Sequence, residues 1–494
     1  MSFFILIPIT MKITQVFKKF PRAFWVANTM ELFERWAWYG LFAVLALYLT
    51  NSTDDGALGF TQIQKGSIMG TVTMILYLLP LITGALADRI GYKKILIIAF
   101  IILGSGYLFM GQVTSYNLVF LTFLWVAVGA ALFKPVISAT ISKTTDDSTS
   151  SIGFGIFYMM VNIGGFIGPI FSSKLREAYG WKIVFFMAAS AIAVNLILVL
   201  LFYKEPDREK TVESLLETIK KSLRNIWTAL SDVKLTLFLL IMVGFWTMFN
   251  QLFYTLPNFI DQWVNTSIIY DSIANISPAL AAAIGTNEHT IAPEMMVNLD
   301  AGAIILFQII ISTLVMRFKP LNGIISGIIV SAIGIGIAFG TGNGFFAILG
   351  IFIFALGEMA SSPKFTEYVG KIAPKGKEAL YMGTSFLPVA VGNYITGFLS
   401  GDVYQAWSDK ISLLQIEVAK RGLEIHAIGE GFTQNDYTAK AGELMGMNNQ
   451  QLTDFLWTSY NPSKIWILFS AIGVFTVICL FLYDKFIIGE QAKA

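Results

Sequence analysis

Three observations predict an all-α integral membrane protein with twelve transmembrane helices in two sets of six. The first is composition. Hydrophobic residues make up 55% of the 494 and charged residues 13%, with a mean hydropathy of +0.67; a soluble domain carries about twice that charge fraction. The second is the form of the apolar runs, which are continuous and not alternating. Only helices or closed barrels satisfy the backbone in lipid, and alternation is what a barrel requires. The third is the placement of Lys and Arg. Lys12 to Arg22, Arg89 to Lys94, Lys204 to Lys234, Arg317 with Lys319, Lys371 to Lys377 and Lys485 fall on one side, whereas the loop from Asn258 to Val297 has neither residue. The positive-inside rule then puts both termini in the cytoplasm, in a cell membrane, and requires an even number of spans.

In chain order the spans are expected near 23–50, 66–87, 93–112, 116–138, 151–173 and 181–202, then 234–258, 297–316, 321–341, 345–369, 380–400 and 464–484. Residues 1–202 form the first bundle, 203–233 a cytoplasmic linker, and 234–494 the second bundle. Within the linker, Val212, Leu215, Leu216, Ile219, Leu223, Ile226, Trp227 and Leu230 recur at helical steps opposite Lys220, Lys221 and Arg224. That pattern predicts an amphipathic helix lying at the inner interface. The outer loop 259–296 is rich in Asn, Ser and Ala and shows little pattern. The outer loop 401–463 carries helical periodicity, as in Ile411, Leu414, Val418 and Leu423, and predicts a small helical cap. No basic segment or A-x-A site marks a cleavable signal before Met11, which is itself a second candidate start.

Composition also excludes classes. A single cysteine, Cys479, forbids an intrachain disulfide, and two histidines, His289 and His426, both in polar stretches, argue against a His-rich metal site. A net charge of +2 gives no reason to expect a nucleic-acid partner. The apolar spans hold no nucleophile–His pairing, so an enzyme is not expected.

The first span holds the most costly residues. Glu31, Glu34, Arg35 and Trp38 sit at i, i+3, i+4 and i+7 and share one helical face. A charge at mid-membrane costs about 2.5–3.5 kcal/mol on insertion scales, so this face must look into protein or a wet cavity. Lys134 lies within the fourth span, just before Pro135. Its candidate partners in the same half are Glu31 and Glu34, although Glu34 is equally placed to neutralise Arg35. Glu358 is the lone clear acid of its span and suits an ammonium on a ligand; Asn162, with two donors and two acceptor lone pairs, suits a peptide amide or terminus. Tyr39, Tyr77, Trp38 and Trp246 are candidates for the cavity wall.

The loop Gly84-Ala85-Leu86-Ala87-Asp88-Arg89-Ile90-Gly91-Tyr92-Lys93-Lys94 closely resembles the G-x-x-A-D-R-x-G-x-K-K signature of major facilitator transporters. That resemblance implies the major facilitator fold, with alternating access between two six-helix bundles and a charge latch at Asp88, Arg89 and Lys93. Glu31-Leu32-Phe33-Glu34-Arg35-Trp36-Ala37-Trp38-Tyr39-Gly40 resembles the E-x-x-E-R-F-x-Y-Y-G motif of the proton-dependent oligopeptide transporters. Further elements follow in that family's order: Tyr77 with Pro80, Phe133-Lys134-Pro135, Phe157-Tyr158 with Asn162 and Gly164, and Gly357-Glu358 with Ser362-Pro363 and Ile372-Ala373-Pro374.

The resemblance implies a proton-coupled symporter of di- and tripeptides, with protons as the coupling ion and no cofactor. It implies that the peptide amino terminus lies near Glu358, assisted by Asn162 and Asn298, and the carboxylate near Lys134 and Arg35. Proton coupling would involve Glu31, Glu34, Arg35 and Lys134, with Tyr39, Tyr77 and Trp246 around the substrate.

The chain departs from that family at one ion pair. An Arg two residues after the motif glycine and an acid in the seventh helix are replaced by Phe42 and Asn250. Losing both restores neutrality, where losing one would strand a buried charge. Asp300, two residues beyond Asn298, is a further polar candidate. An antiporter of drugs or metabolites in the same superfamily, or a carrier of a non-peptide solute, is the alternative; Gly164 to Pro169 resembles the antiporters' G-x-x-x-G-P kink.

Overall fold

The computed structural model describes residues 17–146, 149–207, 215–338, 340–375 and 377–489. Met11, Lys12 and the linker residue Val212 lie outside these. The chain is helical nearly throughout. The first half contains α1 (Arg22–Thr50), α2 (Gln62–Leu78), α3 (Pro80–Ile90), α4 (Tyr92–Met110), α5 (Tyr116–Lys143), α6 (Ser150–Tyr179) and α7 (Lys182–Leu201). A connecting helix, α8 (Leu215–Leu230), leads to α9 (Val233–Phe249), α10 (Gln251–Tyr254) and α11 (Leu256–Trp263). Then come α12 (Ser267–Ile276), α13 (Pro278–Ile284), α14 (Pro293–Val297), α15 (Leu299–Val315), α16 (Pro320–Ala338) and α17 (Gly344–Ile372). The chain closes with α18 (Glu378–Thr384), α19 (Phe386–Phe398), α20 (Tyr404–Trp407), α21 (Lys410–Lys420), α22 (Gln434–Met445), α23 (Asn449–Tyr460) and α24 (Lys464–Tyr483).

Among the described residues, nine helices are long and apolar enough to cross a membrane. Three of the twelve expected spans fall outside that set for physical reasons. α1 carries its charges inside the run. The apolar part of α16 is the short Pro320–Gly336. The eleventh is segmented into α18, α19 and a π-helical turn at Leu399–Val403. The second span is longer than its hydropathy predicts, running Gln62–Ile90 with a break at Leu79, where Pro80 cannot donate to the preceding turn. By contrast Pro135, Pro169 and Pro363 sit within continuous helices.

Apolar packing falls into two main clusters. One draws its buried residues from Phe20 to Tyr203, with Tyr254 as the exception; the other runs from Ala229 to Tyr483. α1 lies closely on α6 because glycine spaces the contact: a Cβ at Gly168 would come 2.7 Å from the carbonyl oxygen of Trp36. Exposed Leu216, Leu223 and Trp227 form the apolar face of α8, which packs on α3 and α18 and so bridges the halves.

The loop 259–296 is not patternless. It folds into α12, α13 and α14, and Ile269 is buried as α12 packs on α17. Ser277 caps α13 by accepting from the Leu280 amide, followed by Pro278 in the first turn. The helices are too short for their periodicity to stand out. The segment 401–463 carries α21, α22 and α23, as its periodicity predicts. The side bearing these loops is called the cap side below, and the opposite one the terminus side.

Candidate functional site

A cavity of about 240 Å³ lies between the two halves. Tyr39, Tyr77 and Asn162 line it from the first half, and Trp246, Asn298 and Glu358 from the second. All six are expected from sequence. Arg35 and Lys134, expected to touch the same ligand, are not in its wall. Each lies behind an aromatic ring that is: the Arg35 guanidinium carbon is 5.8 Å from the Tyr39 ring centre, and Lys134 Nζ is 5.1 Å from that of Tyr77. Aromatic faces attract cations and here screen them from the cavity. Lys134 instead lines a second cavity of about 680 Å³, between Pro80 and Leu81 of the first half, α8, and Leu380 and Phe386 of the second.

The charges of α1 pair among themselves. Arg35 Nε donates to Glu34 Oε2 at 2.6 Å and lies 3.3 Å from Glu31 Oε1. Glu34 is 0% and Glu31 2% exposed. Glu34 therefore neutralises Arg35, and Lys134 interacts with both carboxylates and with Arg35 through space. Removing one member of such a buried cluster leaves the rest uncompensated, at several kcal/mol.

On the facing wall, Asn162 Nδ2 donates to the Tyr158 carbonyl at 2.8 Å, which orients its side chain. Asn298 Nδ2 donates across the halves to the carbonyl oxygen of Phe166 at 2.9 Å. The indole N–H of Trp246, buried in the same wall, has no partner among the described residues. Phe42 and Asn250, the two departures from the oligopeptide pattern, both line the cavity. In place of an ion pair, Phe42 packs against Phe253 and Tyr254, with ring centres 6.1 and 5.8 Å apart. Asp300 also lines the cavity, in the same wall as Glu358 and on a helix packed against that of Glu358.

On the cap side the halves are sealed together. Arg176 of α6 donates to Glu294 Oε1 of α14 at 2.8 Å through its terminal nitrogen and 3.2 Å through Nε. Lys65 of α2 is 0% exposed, and its ammonium donates to the Tyr254 carbonyl at 2.9 Å and Asn258 Oδ1 at 3.2 Å. The Tyr404 ring lies 5.4 Å from Lys65 Nζ. α2 and α19 meet through glycines: a Cβ on Gly66 would collide with the Gly397 carbonyl oxygen and lie 2.8 Å from Gly401 Cα. Asn435 of α22 donates to Asp54 and Asp55 at 3.0 and 3.1 Å, which ties the cap to the first half.

The expected latch on the terminus side is built differently from a simple charge cluster. Lys93 Nζ donates to the carbonyls of Leu200 and Tyr203 at 3.1 and 3.3 Å, holding the end of α7. Tyr92 donates its hydroxyl to Asp88 Oδ1 at 2.9 Å. Glu205 accepts from the backbone amides of Tyr92 and Lys93 at 3.0 and 3.3 Å, at the positive end of α4. Arg89, the third expected member, lies exposed at the end of α3. Glu205 escapes sequence reasoning because its partner lies more than 100 positions away in the chain.

Relatives bear on the whole arrangement. A 30% identical match over 188 residues is found with an uncharacterized transporter, YclF, of Bacillus subtilis; it covers 37% of this chain and 38% of that protein. Dipeptide and tripeptide permease A of Escherichia coli is 28% identical over 183 residues, 36% of each chain. The matched stretch thus spans little over a third of these relatives. Among solved structures, a POT family transporter in complex with 5-aminolevulinic acid superposes with a TM-score of 0.68 at 17% identity, covering 95% of this chain and 99% of the other. A nucleoside transporter gives 0.66 at 13% identity, with coverage of 93% and 99%. These likenesses establish the fold. The Major Facilitator Superfamily sequence profile matches residues 29–285, just over half the chain, and the chain belongs to that superfamily.

Proposed function

We propose that the protein is a proton-coupled symporter that imports di- and tripeptides by alternating access, and not an enzyme. The observation that carries this reading is the polarity of the interdomain cavity. Carboxyls of Asp300 and Glu358 stand in one wall, while Arg35 and Lys134 lie behind Tyr39 and Tyr77 in the other. A peptide zwitterion fits between such walls, its ammonium toward Glu358 and its carboxylate toward the two rings. The peptide permeases among the relatives support the same substrate class.

In this reading Glu31 and Glu34 hold Arg35 while both are ionised. Protonation of either weakens its pull, and Arg35 or Lys134 moves from behind its ring to meet the carboxylate. Asn162 and Asn298 steady the backbone amide, and Trp246 offers its unpartnered N–H. The terminus-side cavity around Lys134 serves as the route of release into the cytoplasm. Membrane potential contributes roughly 2.3 kcal/mol per charge per 100 mV to inward movement.

The test is acid-driven dipeptide uptake into liposomes containing the purified protein. Wild type should concentrate a dipeptide against its gradient. Glu31→Gln should lose concentrative uptake while retaining exchange of internal for external dipeptide. Full acid-driven accumulation by Glu31→Gln would remove that acid from coupling.

A further inference from the structure

We propose that Asp300 of α15 and Glu358 of α17 form a second proton-carrying site, a carboxyl pair that shares one proton, separate from the acids of α1. Two carboxyl groups can hydrogen-bond to each other only if a proton lies between them. These two stand in one wall of the cavity, on helices α15 and α17 that pack against each other. Asp300 is 5% exposed, and both residues line the interdomain cavity. Among the described residues, neither has an ion-pair partner, unlike Glu31, Glu34 and Glu294. One oxygen of each, Asp300 Oδ1 and Glu358 Oε2, is buried and has no hydrogen-bond partner among the described residues.

Among the described residues, the groups around the pair give it no other means of neutralisation. α1 presents Tyr39 and α6 presents Tyr158, both of which feel the Glu358 charge. α16, packed along α17, has no titratable residue from Pro320 to Gly336. Elsewhere on α6, Arg176 is bound to Glu294. α12 carries Tyr270 and Asp271, and α18 carries Glu378 and Tyr381, the latter donating to Asp232; none of the four lines the cavity.

The charge balance is explicit. With one proton the pair carries a single negative charge and joins α15 to α17. When the proton leaves to water, two like charges face each other in a low-dielectric wall, and their repulsion separates the helices. Proton binding thereby sets the spacing of the eighth and tenth spans and the reach of the free oxygens into the cavity. The pair occupies the half in which the usual seventh-helix acid is replaced by Asn250. Its role in coupling rests on the transport reading above; its possession of a proton does not.

The test therefore has two arms. Infrared difference spectroscopy between acidic and alkaline buffer, on purified protein without substrate, reads protonated carboxyl groups directly. Wild type should show a carboxylic C=O band that titrates, that Asp300→Asn removes or shifts, that Asp300→Glu retains, and that Glu31→Gln leaves in place. In liposomes, Asp300→Asn should abolish acid-driven accumulation of dipeptide. An unchanged band in both Asp300→Asn and Glu358→Gln overturns the proton site. Wild-type accumulation by Asp300→Asn overturns its part in coupling. If the wild-type protein moves no dipeptide, the transport reading fails while the infrared arm still decides the pair. Should Asp300→Asn not fold, Asp300→Glu and Glu358→Gln decide by the same band.

Discussion

The Arg176–Glu294 contact offers a quantitative handle on the gate. It joins α6 to α14 across the two halves on the cap side, and the Glu294 side chain is fully buried while that of Arg176 is about one-fifth exposed. Fully buried pairs cost about 3–5 kcal/mol when one partner is removed. Screening at the exposed guanidinium lowers that, and the loss of charge-assisted hydrogen bonding, about 1.5–3 kcal/mol, is the better guide. Arg176 also stacks on Trp181 at 4.7 Å, a contact that survives in Glu294→Gln. The pair exists only while the cap side is shut, so the loss falls on one conformation. Glu294→Gln should then shift the population toward cap-side opening by roughly 10- to 150-fold. Spin labels at Tyr179 and Ile276, exposed at the cap-side ends of α6 and α12, would report it by pulsed electron resonance as a new, longer distance. An unchanged distance distribution in a folded Glu294→Gln protein would refute this assignment of the gate.

Other outcomes are equally specific. Gly66→Ala should prevent cap-side closure, because its Cβ would meet the Gly397 carbonyl and Gly401 Cα, backbone atoms that cannot rotate away; transport should fall while helical content stays near wild type. Lys93→Ala should lower thermal stability by about 1–3 kcal/mol through the loss of its two carbonyl contacts, read as a lower melting temperature. In the cap, burial opposes the charge of Glu417, but its bonds to Arg421 and Tyr460 outweigh it and hold the carboxyl below the ordinary 4.5. That stability is present above pH 4.5 and is lost as pH falls through the lowered value. Acid unfolding of the cap, followed by proteolysis, should therefore lose its steep pH dependence in Glu417→Gln.

Much of the architecture is legible in the sequence because lipid leaves few choices. Continuous apolar runs and Lys/Arg asymmetry specify helices and their alternation. The acids of α1 announce themselves by their cost, and their spacing brings Glu31 and Arg35 together. What the sequence hides is long-range. Arg176 and Glu294 are 118 residues apart, and no local pattern links them. Lys65 stands at the edge of an apolar run, where a solvated lysine is ordinary, yet it is wholly buried against Tyr254 and Asn258 of the other half. Arg35 and Lys134 were expected in the cavity wall, but the aromatic side chains needed to line the cavity also offer faces on which the cations rest. Asp300 is a polar candidate in the sequence, but its place beside Glu358, 58 positions on, is set by the fold.

Calorimetric titration of the purified protein with a dipeptide, and with the same dipeptide acetylated at its amino terminus, tests the proposed recognition of a zwitterion most directly. The account expects saturable binding of the free dipeptide, and loss of at least about tenfold in affinity on acetylation, since a charged hydrogen bond to Glu358 is removed. Equal affinity for the two forms, or no heat with either while an uncharged solute binds, would contradict it.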